Sequence, residues 1–284
     1  MKILVCTDGS APSLAVVPHV RRLATALDAE VTLVRVLDSR VDAASEVAAR
    51  LNDAVAVVRA GWEKELEETL AGAGIAGTVA VPVRQWGKDT ADAILHTAKD
   101  TGADLIAIAT RGTGAIRHAL LGSVAMGVIS KTTLPVLTVA ESPAERTGNG
   151  PYHIVVTTDG SPDSLSIFAA LNTILVPEKT RVTLLEIIRQ KGAETVDEAR
   201  ERLQSLVANF PEGVEATVHV RAVPESANIA ATIINAATEL HADAIASATH
   251  GHSARRHLVA GSTALGVVGS AGMPVILVKS SAAG

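Results

Sequence analysis

Aromatic residues are almost missing from this chain: Phe, Trp and Tyr make up 2% of it, against 48% hydrophobic residues in all. Any core must be built from Ala, Val, Ile and Leu, a composition that suits helices packed on parallel strands. Cysteine is nearly absent too. Cys6 alone cannot form an intrachain disulfide, and it reads as a small buried side chain rather than a redox centre. No apolar run reaches the ~18 residues of a membrane span. Strand-like Ile3-Leu4-Val5-Cys6 follows directly on Met1-Lys2, so the expectation is that no secretory segment precedes it. There is no surplus of basic charge: the formal net charge is −5 at pH 7. That argues against a general nucleic-acid or anionic-membrane binder, because either needs a basic face. The expectation is a soluble cytoplasmic protein with no nucleic-acid and no membrane partner.

What the chain does have is a repeat. Asp104-Leu-Ile-Ala-Ile-Ala-Thr-Arg-Gly112, nine residues and Gly122-Ser123 return 139 positions later as Asp243-Ala-Ile-Ala-Ser-Ala-Thr-His-Gly251, nine residues and Gly261-Ser262. Thr7-Asp8-Gly9-Ser10 returns as Thr158-Asp159-Gly160-Ser161, at an offset of 151. The chain of 284 residues thus divides into two similar domains, 1–140 and 152–284. The turn formers and charges of 141–151 read as the linker between them.

The first half alternates strand and helix: strands at 3–7, 31–37, 78–83, 104–109 and 136–139, helices at about 13–27, 41–70, 90–99 and 123–131. The second repeats that order, with strands at 153–158, 182–188, 216–221, 243–248 and 275–278 and helices at 165–175, 196–208, 229–240 and 262–270. Such alternation predicts an α/β fold of two tandem doubly wound domains, each a five-stranded parallel sheet with helices on both faces. The two offsets differ by 12 residues, most of which must come from the longer second helix of the first half, near Trp62, Gly72, Gly74 and Gly77. That helix either overhangs its sheet and covers something or only extends at the surface.

In open parallel sheets ligands bind beyond the carboxyl ends of the strands. Thr7, Asp8, Thr158 and Asp159 stand at such ends. Each carboxylate there either meets a ribose hydroxyl or a cation, or it or the following Ser caps the next helix. Gly112 and Gly251 end a strand, and Gly122-Ser123 and Gly261-Ser262 open a helix whose free N–H groups favour an anion. Turn formation and capping explain the same residues without a ligand. Arg111, Arg117 and His118 lie in the first loop; His250, His252, Arg255, Arg256 and His257 lie in the second. These cations suit outer phosphates or form a solvated polar loop. Zinc at the histidines is the weaker reading, because no cysteine or acidic ligand is near in sequence. Gly112-Thr-Gly114 opens like a dinucleotide fingerprint, but Arg117 replaces its third glycine and it follows the fourth strand, which excludes an NAD site.

Thr-Asp-Gly-Ser after the first strand, a Gly-x2-Gly-x9-Gly-Ser loop after the fourth and Pro-Val before the last together resemble the universal stress protein family in its tandem form. The resemblance covers nearly the whole chain, once per half. It implies a Rossmann-like, adenine nucleotide alpha hydrolase-like fold and binding of ATP or another adenine nucleotide, with or without Mg2+. By position it implies that Asp8, Val36, Ala109, Arg111, Gly112, Gly122, Ser123, Val124 and Ala125 surround the ligand in the first half. Asp159, Ile187, Ala248, His250, Gly251, Gly261, Ser262, Thr263 and Ala264 do so in the second. Ala109 and Ala248 replace the first glycine of the family's loop, and Ala125 and Ala264 lack a hydroxyl often present after Gly-Ser.

The favoured function is a stress-response nucleotide-binding regulatory protein. The alternatives are a slow ATPase, an adenylating ligase, and an interaction scaffold with vestigial sites. A pyrophosphatase-type ligase needs a Ser-Gly-Gly-x-Asp-Ser loop that Thr7-Asp8-Gly9-Ser10 does not supply. Neither glycine loop has a Walker lysine, and no paired carboxylates are placed to activate water, so no catalytic residue is assigned. Val136-Leu137-Thr138-Val139 and Val275-Ile276-Leu277-Val278 are expected as edge strands that need cover. The resemblance implies that they pair, giving an internal pseudo-dimer, with a homodimer of the whole chain and an unknown protein partner as further expectations.

Overall fold

The computed structural model describes residues 1–38, 46–84, 87–110, 121–140, 150–192, 194–249 and 261–280, with backbone alone at 46–53 and 162–163. The first half runs β1 (Lys2–Cys6), α1 (Ala11–Leu14), α2 (Val17–Leu27), β2 (Glu30–Val34), α3 (Glu46–Gly72), β3 (Gly77–Ala80), α4 (Thr90–Thr101), β4 (Leu105–Ala109), α5 (Ser123–Lys131) and β5 (Val136–Val139). The second runs β6 (Tyr152–Thr157), α6 (Pro162–Leu165), α7 (Ile167–Leu171), β7 (Thr180–Arg189), α8 (Val196–Leu206), β8 (Glu215–Val223), α9 (Ile229–Glu239), β9 (Ala244–Ala248), α10 (Ser262–Ser270) and β10 (Val275–Val278).

All ten strands join one sheet in the order β3-β2-β1-β4-β5-β10-β9-β6-β7-β8. Neighbours within each half are parallel, and β5 meets β10 antiparallel, with Leu137 opposite Ile276. The expected edge strands are therefore interior: each covers the other. Leu137 and Ile276 have no exposed surface, and the Thr138 hydroxyl donates to the Val275 carbonyl at 2.9 Å.

Because the strands are covered on both faces, their apolar residues run continuously rather than alternating. Val20, Leu23, Leu66, Leu70, Ile167, Leu171 and Leu203 pack the face under α2, α3, α7 and α8. Ile94, Ala98, Val128, Ile129, Ile233, Ala236, Val267 and Val268 pack the other, under α4, α5, α9 and α10. Among the described residues no helix is long and apolar enough to cross a membrane.

The first helix of each half departs from expectation. Residues 13–27 were expected as one helix, but α1 stops at Leu14 and α2 starts at Val17. Pro18, in the first turn of α2, has no N–H to donate to the carbonyl four residues back, but its counterpart Ala169 follows the same break in the second half, so proline is not what the two breaks share. The second half breaks there too, and α7 ends at Leu171 rather than Leu175. As the repeat offsets imply, α3 has 27 residues against 11 in α8. Leu66 and Leu70 anchor α3 on the core, while Val57 stays 73% exposed.

An ion pair also ties the halves together. Arg22 of α2 donates from Nη2 to Asp243 Oδ2 at 3.1 Å and to the Gly150 carbonyl at 3.0 Å, and its guanidinium lies over the Tyr152 ring. Asp243 also accepts from the His153 amide, the role that Asp104 plays for the Lys2 amide in the first half. Both charged side chains are nearly buried, 12% and 11% exposed. Arg22→Met should lower stability to urea by about 3 kcal/mol, because the Asp243 carboxylate stays buried without its cation. Lys2→Met, which removes an exposed 4.0 Å contact to Glu30, should cost under about 1 kcal/mol.

His153, only 4% exposed, places Nε2 2.9 Å from Thr183 Oγ1. Burial, then the Arg181 cation, hold the imidazole below its usual pKa, with Asp243 acting the other way. The folded chain thus keeps this histidine neutral where the unfolded chain takes up a proton, so stability falls as pH drops below about 6.5. His153→Gln can still bond Thr183 but does not titrate. Its loss of stability between about pH 7.5 and about pH 5.5 should be smaller than that of the parent in urea titrations; equal losses would contradict the assignment.

Candidate functional site

Each half gathers its expected residues at the carboxyl end of its strands. Thr7 continues β1 by donating its amide to the Val34 carbonyl at 3.0 Å, and its hydroxyl meets Ser13 Oγ at 2.7 Å. The Asp8 carboxylate accepts from the amide and hydroxyl of Ser10, at 2.9 and 2.5 Å. Ser10 Oγ in turn accepts from the Ser13 amide. Thr158, Asp159, Ser161 and Ser164 repeat every one of these contacts, with Asp159 accepting from Ser161 at 3.1 and 2.6 Å. Of the two capping readings the serine is correct. The aspartate stands behind it and orients it.

Between Asp and Ser, Gly9 has φ +85° and Gly160 φ +72°, the left-handed region that glycine enters freely. Each is also pressed by an arginine. A Cβ on Gly9 would lie 2.7 Å from Arg35 Cζ, and one on Gly160 would lie 3.0 Å from Arg202 Nε. The two arginines come from different places. Arg35 follows β2, lies 3.6 Å over the Trp62 ring of α3 and pairs with Glu65 at 3.0 Å. Arg202 belongs to α8 and pairs with Glu186 of β7 at 2.5 Å and with Glu194. Position 35 corresponds to 186 in the repeat, so strand and helix have exchanged the signs of their charges. Burial pushes the Glu186 carboxyl up, against the pull of Arg202. Sequence reading missed this exchange, although an Arg and a Glu at equivalent positions were visible.

Thr110 and Thr249, just past β4 and β9, join each strand to the helix that follows it. Thr110 donates its amide to Val139 and accepts from the Gly122 amide at 2.7 Å; Thr249 does the same with Val278 and Gly261, at 2.8 and 2.5 Å. Gly122 and Gly261 are the N-caps of α5 and α10, and a glycine has no side chain with which to bond the first-turn amides. The N–H groups at Ser123, Val124 and Ala125, and at Ser262, Thr263 and Ala264, thus begin helices of 9 residues with the positive end of the helix dipole facing out. This donor set fits an anion. Ala109 and Ala248 are buried at the strand ends, 6% and 7% exposed. Arg111, Gly112, His250 and Gly251 lie outside the described residues, as do Arg117, His118, His252, Arg255, Arg256 and His257.

In the second half seven of the ten expected residues line one cavity of about 130 Å³: Thr158, Asp159, Ile187, Ala248, Gly261, Thr263 and Ala264. Thr157, Leu185, Ile229, Ile233 and Ser247 complete much of its wall. Ile229 and Thr263 also belong to an adjoining groove of about 560 Å³ between α9 and α10, which reaches Ser262. Ile187 sits within β7, whereas Val36 lies two residues beyond the end of β2 rather than ending that strand. In the first half Lys131 bridges Asp89 and Asp92 across α4 and α5, at 2.6 and 2.8 Å, and holds both carboxyls below their ordinary range. The corresponding residues are Asn228, Ala231 and Ser270, all neutral and all lining the groove. Among the described residues no cluster of His, Cys, Asp and Glu could hold a metal ion.

The sequence profile of the universal stress protein family matches residues 1–140 and again 152–279. The chain belongs to that family. Its tandem form is evident in solved structures too. A universal stress protein from Archaeoglobus fulgidus DSM 4304 is similar over 99% of this chain and 97% of its own, with a TM-score of 0.64 at 19% identity. A putative universal stress protein from Pseudomonas aeruginosa UCBPP-PA14 is similar over 98% and 93%, with a TM-score of 0.59 at 18% identity. At those identities the likeness concerns the fold. No curated protein sequence matches the chain.

In this universal stress protein the glycine of the first turn is tied to the arginine beside it. Gly9→Ala should lower stability by about 1–2 kcal/mol from backbone strain and, by displacing Arg35, should change the fluorescence of Trp62. Gly74 has φ +66° with open space around it. Gly74→Ala should therefore show the strain without the fluorescence change, and identical spectra for both variants would refute the Arg35 contact.

Proposed function

We propose that this chain is a stress-response regulatory protein that binds ATP, with or without Mg2+, at the carboxyl ends of its strands. The observation that carries this reading is the second-half cavity. It is walled by apolar side chains at Leu185, Ile187, Ile229 and Ile233, and it adjoins the glycine-capped start of α10 with its first-turn amides. A flat base suits the first environment and a phosphate suits the second. Asp159 stands at the cavity wall, where its carboxylate would accept from ribose hydroxyls. Gly261, Ser262, Thr263 and Ala264 would hold phosphate through their backbone, and His250 and Gly251 would extend that loop. In the first half Thr7, Asp8, Val36, Ala109, Arg111, Gly112, Gly122, Ser123, Val124 and Ala125 would play the same parts. The proposed domains are 1–140 and 152–284, joined by 141–151.

A second reading applies to the first half alone. Cys6 and Ile108 there stand in place of the cavity-wall hydroxyls Thr157 and Ser247, and both are buried in the apolar core. This favours a first site that serves architecture more than binding.

The test is to purify the protein without added nucleotide, denature it and identify any released ligand by mass spectrometry, then titrate ATP and magnesium by calorimetry. Released ATP or saturable heat is expected. Neither, in the intact chain, would sink the ATP reading. Gly122 and Gly261 supply separate controls. Aspartate is a good N-cap, so Gly122→Asp or Gly261→Asp should fold, yet each places a carboxylate where phosphate would bind. Gly261→Asp should weaken ATP binding by about tenfold or more, since a lost charge-assisted contact is worth about 1.5–3 kcal/mol. Gly122→Asp should leave the second half intact.

A further inference from the structure

With β5 and β10 paired, the sheet still ends in two open edges, β3 and β8. The two are not alike. β3 has four residues, and Arg59 of α3 donates from Nε to the Val81 carbonyl just beyond it at 3.1 Å. β8 has nine residues and no proline, and it pairs with β7 without a bulge from Arg181 and Glu215 to Arg189 and Val223. A strand of that length and regularity at an edge is a template for another strand.

The bonds to β7 fix which backbone groups of β8 face outward. Gln190 donates its amide to the Val223 carbonyl at 2.9 Å, so Val223 faces β7. Backbone groups alternate in direction along a strand, so those of Glu215, Thr217, His219 and Arg221 also turn to β7, and those of Ala216, Val218 and Val220 turn to the open edge. The side chains of these last three pack partly against the core on one sheet face. Glu215, Thr217, His219 and Arg221 stand on the other, where Arg221 bonds Glu239 of α9.

We propose that β8 is a homodimer surface, pairing antiparallel with β8 of a second copy about a two-fold axis at Val218. That register sets Val218 opposite Val218 and Ala216 opposite Val220. Outward groups then meet outward groups, and each such pair exchanges two backbone hydrogen bonds. On the other face Glu215 of each copy meets Arg221 of the other, in non-hydrogen-bonded pairs, where side chains approach most closely. The charges select this register. An axis at His219 sets two histidines together and Arg221 against Thr217; one at Val220 sets His219 against Arg221; one at Thr217 leaves Arg221 opposite Gly213. Pairing of β8 with β3 of another copy is a heterologous contact that leaves an edge open at each end, whereas the two-fold contact closes. The pairing needs no ligand, so it stands apart from the nucleotide reading.

The test is sedimentation of the full chain beside Val218→Pro, Glu215→Lys and Val79→Pro. Val218→Pro removes an outward N–H at the axis and leaves the ladder to β7 its donors. Val79→Pro does the same on β3, where Arg35 donates to the Ala80 carbonyl and so turns Val79 outward. At about 100 μM, enough to populate a small interface, the parent and Val79→Pro should sediment at twice the chain mass and Val218→Pro at the chain mass. Glu215→Lys sets like charges together twice and should raise the dimer dissociation constant about tenfold or more. Circular dichroism should match the parent in both β8 variants; if the proline variant does not fold, Glu215→Lys decides. A parent that is monomeric at that concentration, or a dimer that a folded β8 variant leaves intact, overturns the proposal. Larger assemblies that Val79→Pro also disrupts overturn it in favour of contacts between β3 and β8.

Discussion

The antiparallel pairing of β5 with β10 is the constraint on which the rest of the molecule depends. Each half ends in a short apolar strand that would be an aggregating edge if left open. Pairing two such strands removes both edges at once. Because they meet antiparallel, all carboxyl ends of the first half point one way along the sheet and those of the second half point the other. The same two strands carry the stems of the glycine loops, through Thr110 on Val139 and Thr249 on Val278. The contact that joins the halves therefore also positions the two candidate sites and sets them at opposite ends of the strands.

That architecture was legible because periodicity and repetition report on backbone and burial. The alternation of strands and helices, the start and end of α5 and α10, and the extra length of α3 all follow from apolar spacing, Gly-Ser signals and the change of offset between the repeats. Where sequence reading fell short, the deciding contact was one that apolar spacing does not report. The break between the first two helices of each half is hidden because apolar spacing continues through it. The Asp of each Thr-Asp-Gly-Ser turn was weighed as a cap, yet only the geometry shows the serine capping and the aspartate orienting it. Thr157 and Ser247 were passed over because a hydroxyl inside an apolar strand gives no periodic signal. Their place on a cavity wall depends on how β6, β9 and α9 pack.

The Asp-Gly turns show how the two halves meet one steric requirement with different charges. Both turns need a left-handed glycine, and both have an arginine laid against it. In the first half that arginine comes from the strand side, with Trp62 and Glu65 of the helix as partners. In the second it comes from the helix, with a strand glutamate as partner. Exchanging the signs keeps the pair and reverses its origin, as expected where selection acts on the contact rather than on either residue. The first version uses a cation over a ring, which is tolerant of water. The second buries a carboxylate, which needs its cation to remain charged.

The same divergence separates the two surfaces beside the glycine loops. An ammonium between two carboxylates joins α4 to α5 in the first half, whereas neutral Asn228, Ala231 and Ser270 line a groove along α9 and α10, although both helix pairs approach equally closely at Gly127 and Gly266. Lys279, just past β10, adds a contact across the halves by donating to the Ser130 carbonyl near the end of α5. A cation at that end complements the helix dipole. With Gly122 bonded to Thr110 at its start, α5 is fixed at both ends. Lys279 corresponds to Ala140, so this cross-half contact has no equivalent on α10 from that position. The first half thus joins its two loop-side helices by an ion pair and holds one of them from the neighbouring half, while the second half lines the same surface with neutral residues.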